Sequence, residues 1–157
     1  MKHNEMKSWN SFLSSLEDLP KTSPIPRMLC SYLQKQLLDG KLHITLKESV
    51  VRFNNKDLDL TKRNQVLKIF EVFVNHQNSN LTRGILIKKV YNEKHESQSH
   101  RLQSCHKHNL VKLISRARRL AIKTFVEDFS PNKLQWFPYD SASQTWRLYS
   151  INDDFSF

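Results

Sequence analysis

The segment 108–125, HNLVKLISRARRLAIKTF, constrains the fold of this chain most strongly, because two helical patterns run through it. Apolar residues recur at the spacing of one helix face, so that face is expected to pack on a core. They are Leu110, Leu113, Ile114, Ala117, Leu120 and Ala121. Cations recur at i, i+4, i+7 and i+11 on a second face, namely Lys112, Arg116, Arg119 and Lys123. A helix that is anchored by one face and cationic on another fits the major groove of DNA, although a solvated surface helix shows similar charges.

The positive charge of the chain is concentrated around this segment. The net charge is +10, and residues 81–125 hold 11 Lys or Arg against two acidic residues, a net charge of +9. Residues 1–80 carry +4, and residues 126–157 carry −3. Such asymmetry favours a polyanionic partner. An anionic membrane surface is the weaker alternative, because the helix lacks a broad, aromatic-rich apolar face.

Composition predicts a cytoplasmic protein of one domain plus an appendage. The chain has 157 residues, and no apolar run approaches the ~20 residues that span a bilayer. The first residues, MKHNEMKSWNSF, lack the apolar stretch of a signal peptide. Cys30 and Cys105 are too few for a disulfide framework, so we expect reduced thiols.

Residues 1–40 have the pattern of two amphipathic helices. The first carries Trp9, Phe12, Leu13 and Leu16 and ends near Pro20. The second carries Met28, Leu29, Tyr32, Leu33 and Leu37, with Gly40 as its stop. Their apolar faces must be buried either on the chain's own sheet or against a second copy or another protein.

Alternation replaces the helical period after Lys41 and predicts a three-stranded antiparallel meander. Leu42, Ile44 and Leu46 mark the first strand, Val50, Val51 and Phe53 the second, and Leu58 and Leu60 the third. The intervening Asn54-Asn55-Lys56-Asp57 is a predicted turn, because asparagine tolerates a positive φ.

Two further helices precede the cationic one. Thr61 is the predicted N-cap of an apolar core helix that contains Val66, Leu67, Ile69, Phe70, Phe73 and Val74. Thr82 is the predicted N-cap of the next helix, with Ile85, Leu86, Val90 and Tyr91 facing inward. Residues 92–107 are polar, and we expect a helix-poor loop there.

After the cationic helix, residues 134–137 and 146–149 are predicted strands joined by a loop over 138–145. The order of a sheet, three helices and a hairpin predicts an α+β fold, specifically a winged helix. In this helix-turn-helix variant the third helix enters the major groove and the hairpin contacts the flanking backbone. The predicted units are a helical extension over 1–40, a winged-helix domain over 41–151 and a tail over 152–157.

Several motifs resemble the OmpR/PhoB-type winged-helix effector domain of bacterial response regulators. The strand-to-helix junction of that family is similar to Leu58-Asp59-Leu60-Thr61. Its second helix is similar to the segment that begins with Leu81-Thr82-Arg83 and ends with Val90-Tyr91. The segment ISRARRL over 114–120 resembles the centre of its recognition helix, with Ala117 in place of Leu. Trp146-Arg147-Leu148 resembles its last strand.

The chain also departs from this family. His108 stands near a position where the family has Arg, Thr145 stands where it has Gly, and the loop before the cationic helix is longer. Within these 157 residues no receiver-like segment precedes the winged-helix part, so control by phosphorylation is not expected.

The resemblance implies a transcription regulator that binds double-stranded DNA. The expected DNA-contacting residues are Arg83, His108, Lys112, Ser115, Arg116, Arg119, Lys123 and Arg147. RNA polymerase is a possible further partner through the 92–107 loop, and residues 1–40 are the surface for a homodimer or another protein. The alternative is a winged-helix protein-interaction module that does not bind DNA specifically.

The sequence favours neither a metal site nor an enzyme. His95, His100, Cys105, His106 and His108 crowd one segment, but their spacing matches no usual zinc site. The chain has two glycines and no glycine-rich phosphate loop, so we expect no cofactor. The aromatic residues Trp136, Phe137, Tyr139 and Trp146 are expected to pack a wing onto the core, with stacking on bases as the alternative.

Overall fold

The computed structural model describes residues 25–39, 44–91, 100–126 and 131–150. In this part the chain is an α+β protein with four α-helices and two small antiparallel sheets, in agreement with the predicted class. The elements in order are α1 (Ile25–Asp39), β1 (Thr45–Lys47), β2 (Val50–Phe53), β3 (Lys56–Asp59), α2 (Asn64–Asn75), β4 (Leu81–Thr82), α3 (Arg83–Val90), α4 (His100–Phe125), a 3₁₀ helix (Pro131–Gln135), β5 (Tyr139–Asp140) and β6 (Thr145–Trp146).

The first sheet is the predicted meander, in the order β1-β2-β3, but β3 begins at Lys56, so the predicted turn over 54–57 is limited to Asn54 and Asn55. Phe53 pairs with Lys56 across a two-residue turn in which Asn54 and Asn55 have φ values of 54° and 64°. A two-residue hairpin turn of this kind needs positive φ at both positions, which explains the two asparagines. Val51 and Phe53 on β2 point into the core.

The second sheet joins distant parts of the chain, in the order β4-β6-β5. Leu81 of β4 pairs with Trp146 of β6, and Trp146 also pairs with Tyr139 of β5. The β5–β6 hairpin is therefore hydrogen-bonded to the strand that leads directly into α3.

The predicted strand over 134–137 is wrong. Residues Pro131–Gln135 form a 3₁₀ helix, and Phe137 then has a φ of 56°, which a strand residue does not adopt. Gln135, Trp136 and Phe137 are all buried in succession, so the segment has no inner and outer face. The first strand of the hairpin is β5, inside the predicted 138–145 loop, and the second strand ends at Trp146 rather than at Tyr149.

An aromatic cluster forms the centre of the core. The Trp136 ring lies 5.6 Å from Phe53 and 5.1 Å from Phe125, and Phe137 lies 4.4 Å from Phe73, all measured between centroids. Trp136 Nε1 donates a hydrogen bond to Asn132 Oδ1 at 3.2 Å, which satisfies its buried polar end. The expectation that Trp136, Phe137 and Trp146 pack on the core is confirmed, whereas Tyr139 is 44% exposed.

The helix α2 is the predicted core helix, with Val66, Ile69, Phe70 and Phe73 buried. The Thr61 N-cap is wrong, because α2 begins at Asn64. Thr61 instead donates from its backbone N–H to the Asp59 carboxylate at 2.9 Å.

The predicted cap of α3 is confirmed, since Thr82 Oγ1 accepts the backbone N–H of Ile85 at 3.3 Å. Leu86 and Val90 face inward as expected. Ile85 does not, because it is 40% exposed, and Ile87 is buried in the core instead.

The helix α4 begins at His100, so residues 100–107 are helical rather than loop. No proline or glycine interrupts residues 100–107, and nothing in their sequence therefore ends a helix. The ring of His106 stacks on Tyr91 at 4.3 Å between centroids, which ties the first turns of α4 to the end of α3. His108 therefore lies within the helix, and the rest of the predicted loop, residues 92–99, lies outside the described residues.

The second predicted N-terminal helix is present as α1 and packs within the chain. Leu29 and Leu33 are fully buried, and α1 contacts the 3₁₀ helix. The Tyr32 hydroxyl accepts a hydrogen bond from Asn54 Nδ2 at 3.4 Å. The predicted first helix, the Gly40 stop and the 152–157 tail lie outside the described residues.

Candidate nucleic-acid interface

The apolar stripe of α4 is anchored as its spacing predicts. Five of its six residues are buried, namely Leu110, Leu113, Ile114, Ala117 and Ala121, and Leu120 is partly buried. Phe125 extends the stripe to the last residue of the helix, where its ring stacks on Trp136. The orientation of α4 about its own axis is therefore fixed by the core.

The four predicted cations all lie on the exposed side of α4: Lys112, Arg116, Arg119 and Lys123. Across the described ranges, none of the four has a carboxylate oxygen within 4.0 Å; the ion pair found there is that between Arg52 Nε and Asp57 Oδ1 at 2.9 Å. The sequence of α4 contains seven Lys or Arg and no acidic residue. This arrangement produces an uncompensated positive surface along one side of the helix.

Three other predicted contact residues are also exposed: Arg83, His108 and Ser115. Arg83 is the first residue of α3, next to its Thr82 cap. Arg83 and Ser115 line the same cavity of about 320 Å³ beside α4. The structure therefore brings the start of α3 close to the exposed side of α4.

The remaining predicted contact, Arg147, is inside the protein and only 2% exposed. Its guanidinium carbon lies 5.6 Å from the centre of the Tyr149 ring. Alternation along a strand would place Arg147 on the opposite face from Trp146 and Leu148, but the strand ends at Trp146. Arg147 therefore does not belong to the surface formed by the other seven residues.

The turn of the β5–β6 hairpin holds its own acidic residue, Asp140, in local hydrogen bonds. The Asp140 carboxylate accepts hydrogen bonds from the backbone N–H of Ala142 at 3.2 Å and from the Ser143 hydroxyl at 2.9 Å. Ser141, Ala142 and Gln144 are exposed at the tip. The carboxylate thus organises the turn, and the tip presents neutral groups that are able to hydrogen-bond to a phosphate backbone.

One residue of this surface, Arg118, was missed in the sequence. Arg118 lies on the flank of α4 between the buried stripe and the exposed cations, and it lines the 320 Å³ cavity together with the exposed Tyr139. Arg118 follows Arg116 by two residues and therefore does not fit the i, i+4, i+7 spacing of the exposed cations. A search for basic residues bordering both faces of the helix would have found it.

The histidine-rich segment forms no metal site among the residues whose side chains the structure describes, where no group of three metal-ligating side chains comes together. His106 and His108 belong to that described set, and the other members of the segment, His95, His100 and Cys105, lie outside it. No helix in the described ranges has the length and apolarity needed to cross a membrane.

Comparison of this chain with protein-family models, with curated proteins and with solved structures finds no match.

Proposed function

We propose that this chain is a winged-helix protein that binds double-stranded DNA with α4 in the major groove, as a transcription regulator. The order of the elements α2, β4, α3, α4, β5 and β6 supports the winged-helix fold. The strand β4 lies between α2 and α3, and it pairs with β6, the last strand of the hairpin that follows α4. In a winged helix, α3 and α4 correspond to the helix-turn-helix, and the hairpin is the wing.

One observation carries the DNA-binding proposal. The row of Lys112, Arg116 and Arg119, continued by Lys123, is exposed and unpaired with acids in the described part, on a helix whose opposite face is locked into the core. Cations that merely solubilise a helix are usually interspersed with acidic residues, and α4 has none. A fixed row of this kind is suited to phosphates and base edges.

The proposed contact set is Arg83, His108, Lys112, Ser115, Arg116, Arg119 and Lys123. The cations of α4 would neutralise phosphates and also reach base edges, and Arg83 at the start of α3 would contact phosphate. The neutral tip of the hairpin would lie over the adjacent backbone. RNA polymerase contact through residues 92–107, and a homodimer or another protein partner through residues 1–40, are secondary proposals that the DNA contact does not require.

The double variant Arg116→Gln/Arg119→Gln tests this assignment. We expect its affinity for duplex DNA to fall by roughly 10- to 1,000-fold, since a base contact contributes about 1–3 kcal/mol and each phosphate contact adds to the electrostatic attraction. Fluorescence anisotropy with a labelled random duplex, followed by selection of bound sequences from a random pool, measures both affinity and specificity.

The matched control is Arg63→Gln/Lys68→Gln, which removes the same charge from exposed positions at α2. It should lose only the small, nonspecific part of the attraction. If the two double variants bind DNA equally well, α4 is not the DNA-binding helix. If the unaltered chain fails to bind any duplex at low salt, the fold serves as a protein-interaction module instead.

A further inference from the structure

Two neighbouring cavities share a wall beside α4. One, of about 320 Å³, is bounded by α4, the start of α3 and the hairpin, and the other, of about 330 Å³, lies between the start of α3 and the hairpin turn. Arg83, Tyr139 and Trp146 line both. We call the first the α4–hairpin groove. Its volume is at the lower end of the range of small-molecule sites, about 300–1,000 Å³.

The groove has an apolar side with exposed surface. Val111 and Tyr139 are 41% and 44% exposed, although both are large apolar residues. The Tyr139 ring lies 4.7 Å from that of Trp146, which is almost fully buried and forms part of the wall. Apolar side chains that converge on one depression, with a few polar groups, are typical of a site for a flat apolar ligand.

The groove also has a cationic side. Within the described ranges, neither Arg83 nor Arg118 has a carboxylate within 4.0 Å. Arg118 Nε is inaccessible to solvent and has no hydrogen-bond acceptor. A buried guanidinium N–H without an acceptor is unfavourable, so a rotation of the Arg118 side chain toward an anionic group in the groove would be favoured.

We propose that the α4–hairpin groove binds a small aromatic anion, a ligand of one or two fused rings that carries a carboxylate. The carboxylate pairs with Arg118 and Arg83, the ring packs between Tyr139 and Val111, and the Ser115 hydroxyl is a further hydrogen-bonding group. A bare phosphate would leave the apolar side uncovered, and an extended peptide would need a longer groove.

This inference does not rest on the proposed DNA binding, but it has a consequence for it. Arg83 and Ser115 belong to both the groove and the proposed DNA contact set. A ligand in the groove and a duplex on α4 would therefore compete, and each would weaken the binding of the other by the same factor.

A titration of the full chain with 2-naphthoate tests the site directly. It is carried out in the absence of DNA and is monitored by the amide ¹H–¹⁵N chemical shifts. We expect saturable shifts centred on the amides of Val111, Ser115 and Tyr139. The uncharged 2-naphthamide should bind about tenfold more weakly, because it loses the charge-assisted hydrogen bonds. Arg118→Gln should weaken binding of 2-naphthoate by a similar factor. If that variant fails to fold, Arg83→Gln replaces it, because Arg83 is exposed and is the other proposed partner of the carboxylate.

Arg27→Gln, an exposed arginine of α1 that lines neither cavity, should leave the affinity unchanged. Three results would overturn the proposal. Equal binding of inorganic phosphate would assign the groove to phosphate groups such as those of DNA. Equal binding of 2-naphthamide would assign it to an apolar side chain of a partner protein. Absence of saturable shifts with 2-naphthoate would exclude an aromatic anion altogether.

Discussion

At the scale of single residues, the position of a charge decides its role more than its type does. Arg147 and Arg116 were both predicted to contact DNA, yet Arg147 lies against the Tyr149 ring inside the protein and Arg116 is exposed on α4. Arg118 is intermediate, with a buried Nε beside an open groove. Arg147 is therefore a structural arginine, Arg116 is a proposed DNA contact, and Arg118 is a proposed ligand contact.

The buried phenol of Tyr149 predicts a loss of stability at high pH. Burial raises the pKa of Tyr149 to about 12, from an ordinary value of 10.0. Because the folded-state pKa is above the unfolded-state value, this contribution is fully present below pH 10 and is lost between pH 10 and pH 12. The largest loss is roughly 3 kcal/mol, at about 1.4 kcal/mol for each pKa unit.

Urea unfolding of the parent chain and of Tyr149→Phe at pH 8 and pH 11 measures this effect. The free energy of unfolding of the parent should fall more between the two pH values than that of the variant, which lacks the titrating phenol. Equal pH dependence in the two proteins would show that Tyr149 titrates as an ordinary exposed tyrosine.

At the scale of elements, the segments with one unbroken period were predictable. The meander, α2 and α4 each bury one side and expose the other. The meander therefore shows alternation in its sequence, and the two helices show a 3.6-residue spacing. The segment 131–137 was not predictable in this way, because Gln135, Trp136 and Phe137 are all buried and their order carries no period. Gln135 Nε2 donates a hydrogen bond to the carbonyl oxygen of Tyr149 at 3.0 Å, a partner distant in sequence.

The same limit explains the other differences at the candidate site. The first turns of α4 pack against the end of α3 through the His106–Tyr91 stack, a contact across the segment 92–99 that local periodicity does not contain. The strand β5 has two residues and is defined by its pairing with β6 rather than by its own sequence. The cations of α4 were found because they repeat on one face, and Arg118 was missed because it does not.

Packing of α1 within the chain predicts a large cost for Leu33→Ala. Leu33 is fully buried, so the variant should lower the free energy of unfolding by about 2–5 kcal/mol. The adjacent Gln34 is exposed, and Gln34→Ala should change stability by about 0.5 kcal/mol or less. Chemical unfolding of the two variants measures the difference, and equal stability would show that α1 does not pack as described.

At the scale of the whole molecule, the positive charge is concentrated in one part of the chain, as the proposed DNA contact requires. The excess positive charge falls in residues 81–125, which include α3 and α4, while the C-terminal part from residue 126 has a net charge of −3. The core holds α2, α3 and α4 together around the aromatic cluster, and the hairpin is paired to the start of α3. The exposed side of α4, the start of α3 and the hairpin tip therefore form one surface, supported by the core.

The salt dependence of duplex binding tests the central proposal most directly. If Lys112, Arg116, Arg119 and Lys123 all neutralise phosphates, the logarithm of the binding constant should fall with the logarithm of KCl concentration with a slope of roughly −3.6 or steeper, at about −0.9 for each contact. Arg116→Gln/Arg119→Gln should reduce the magnitude of that slope by about two, and Arg63→Gln/Lys68→Gln should leave it unchanged. A shallow slope in the parent chain, or an unaltered slope in the α4 double variant, would contradict the account.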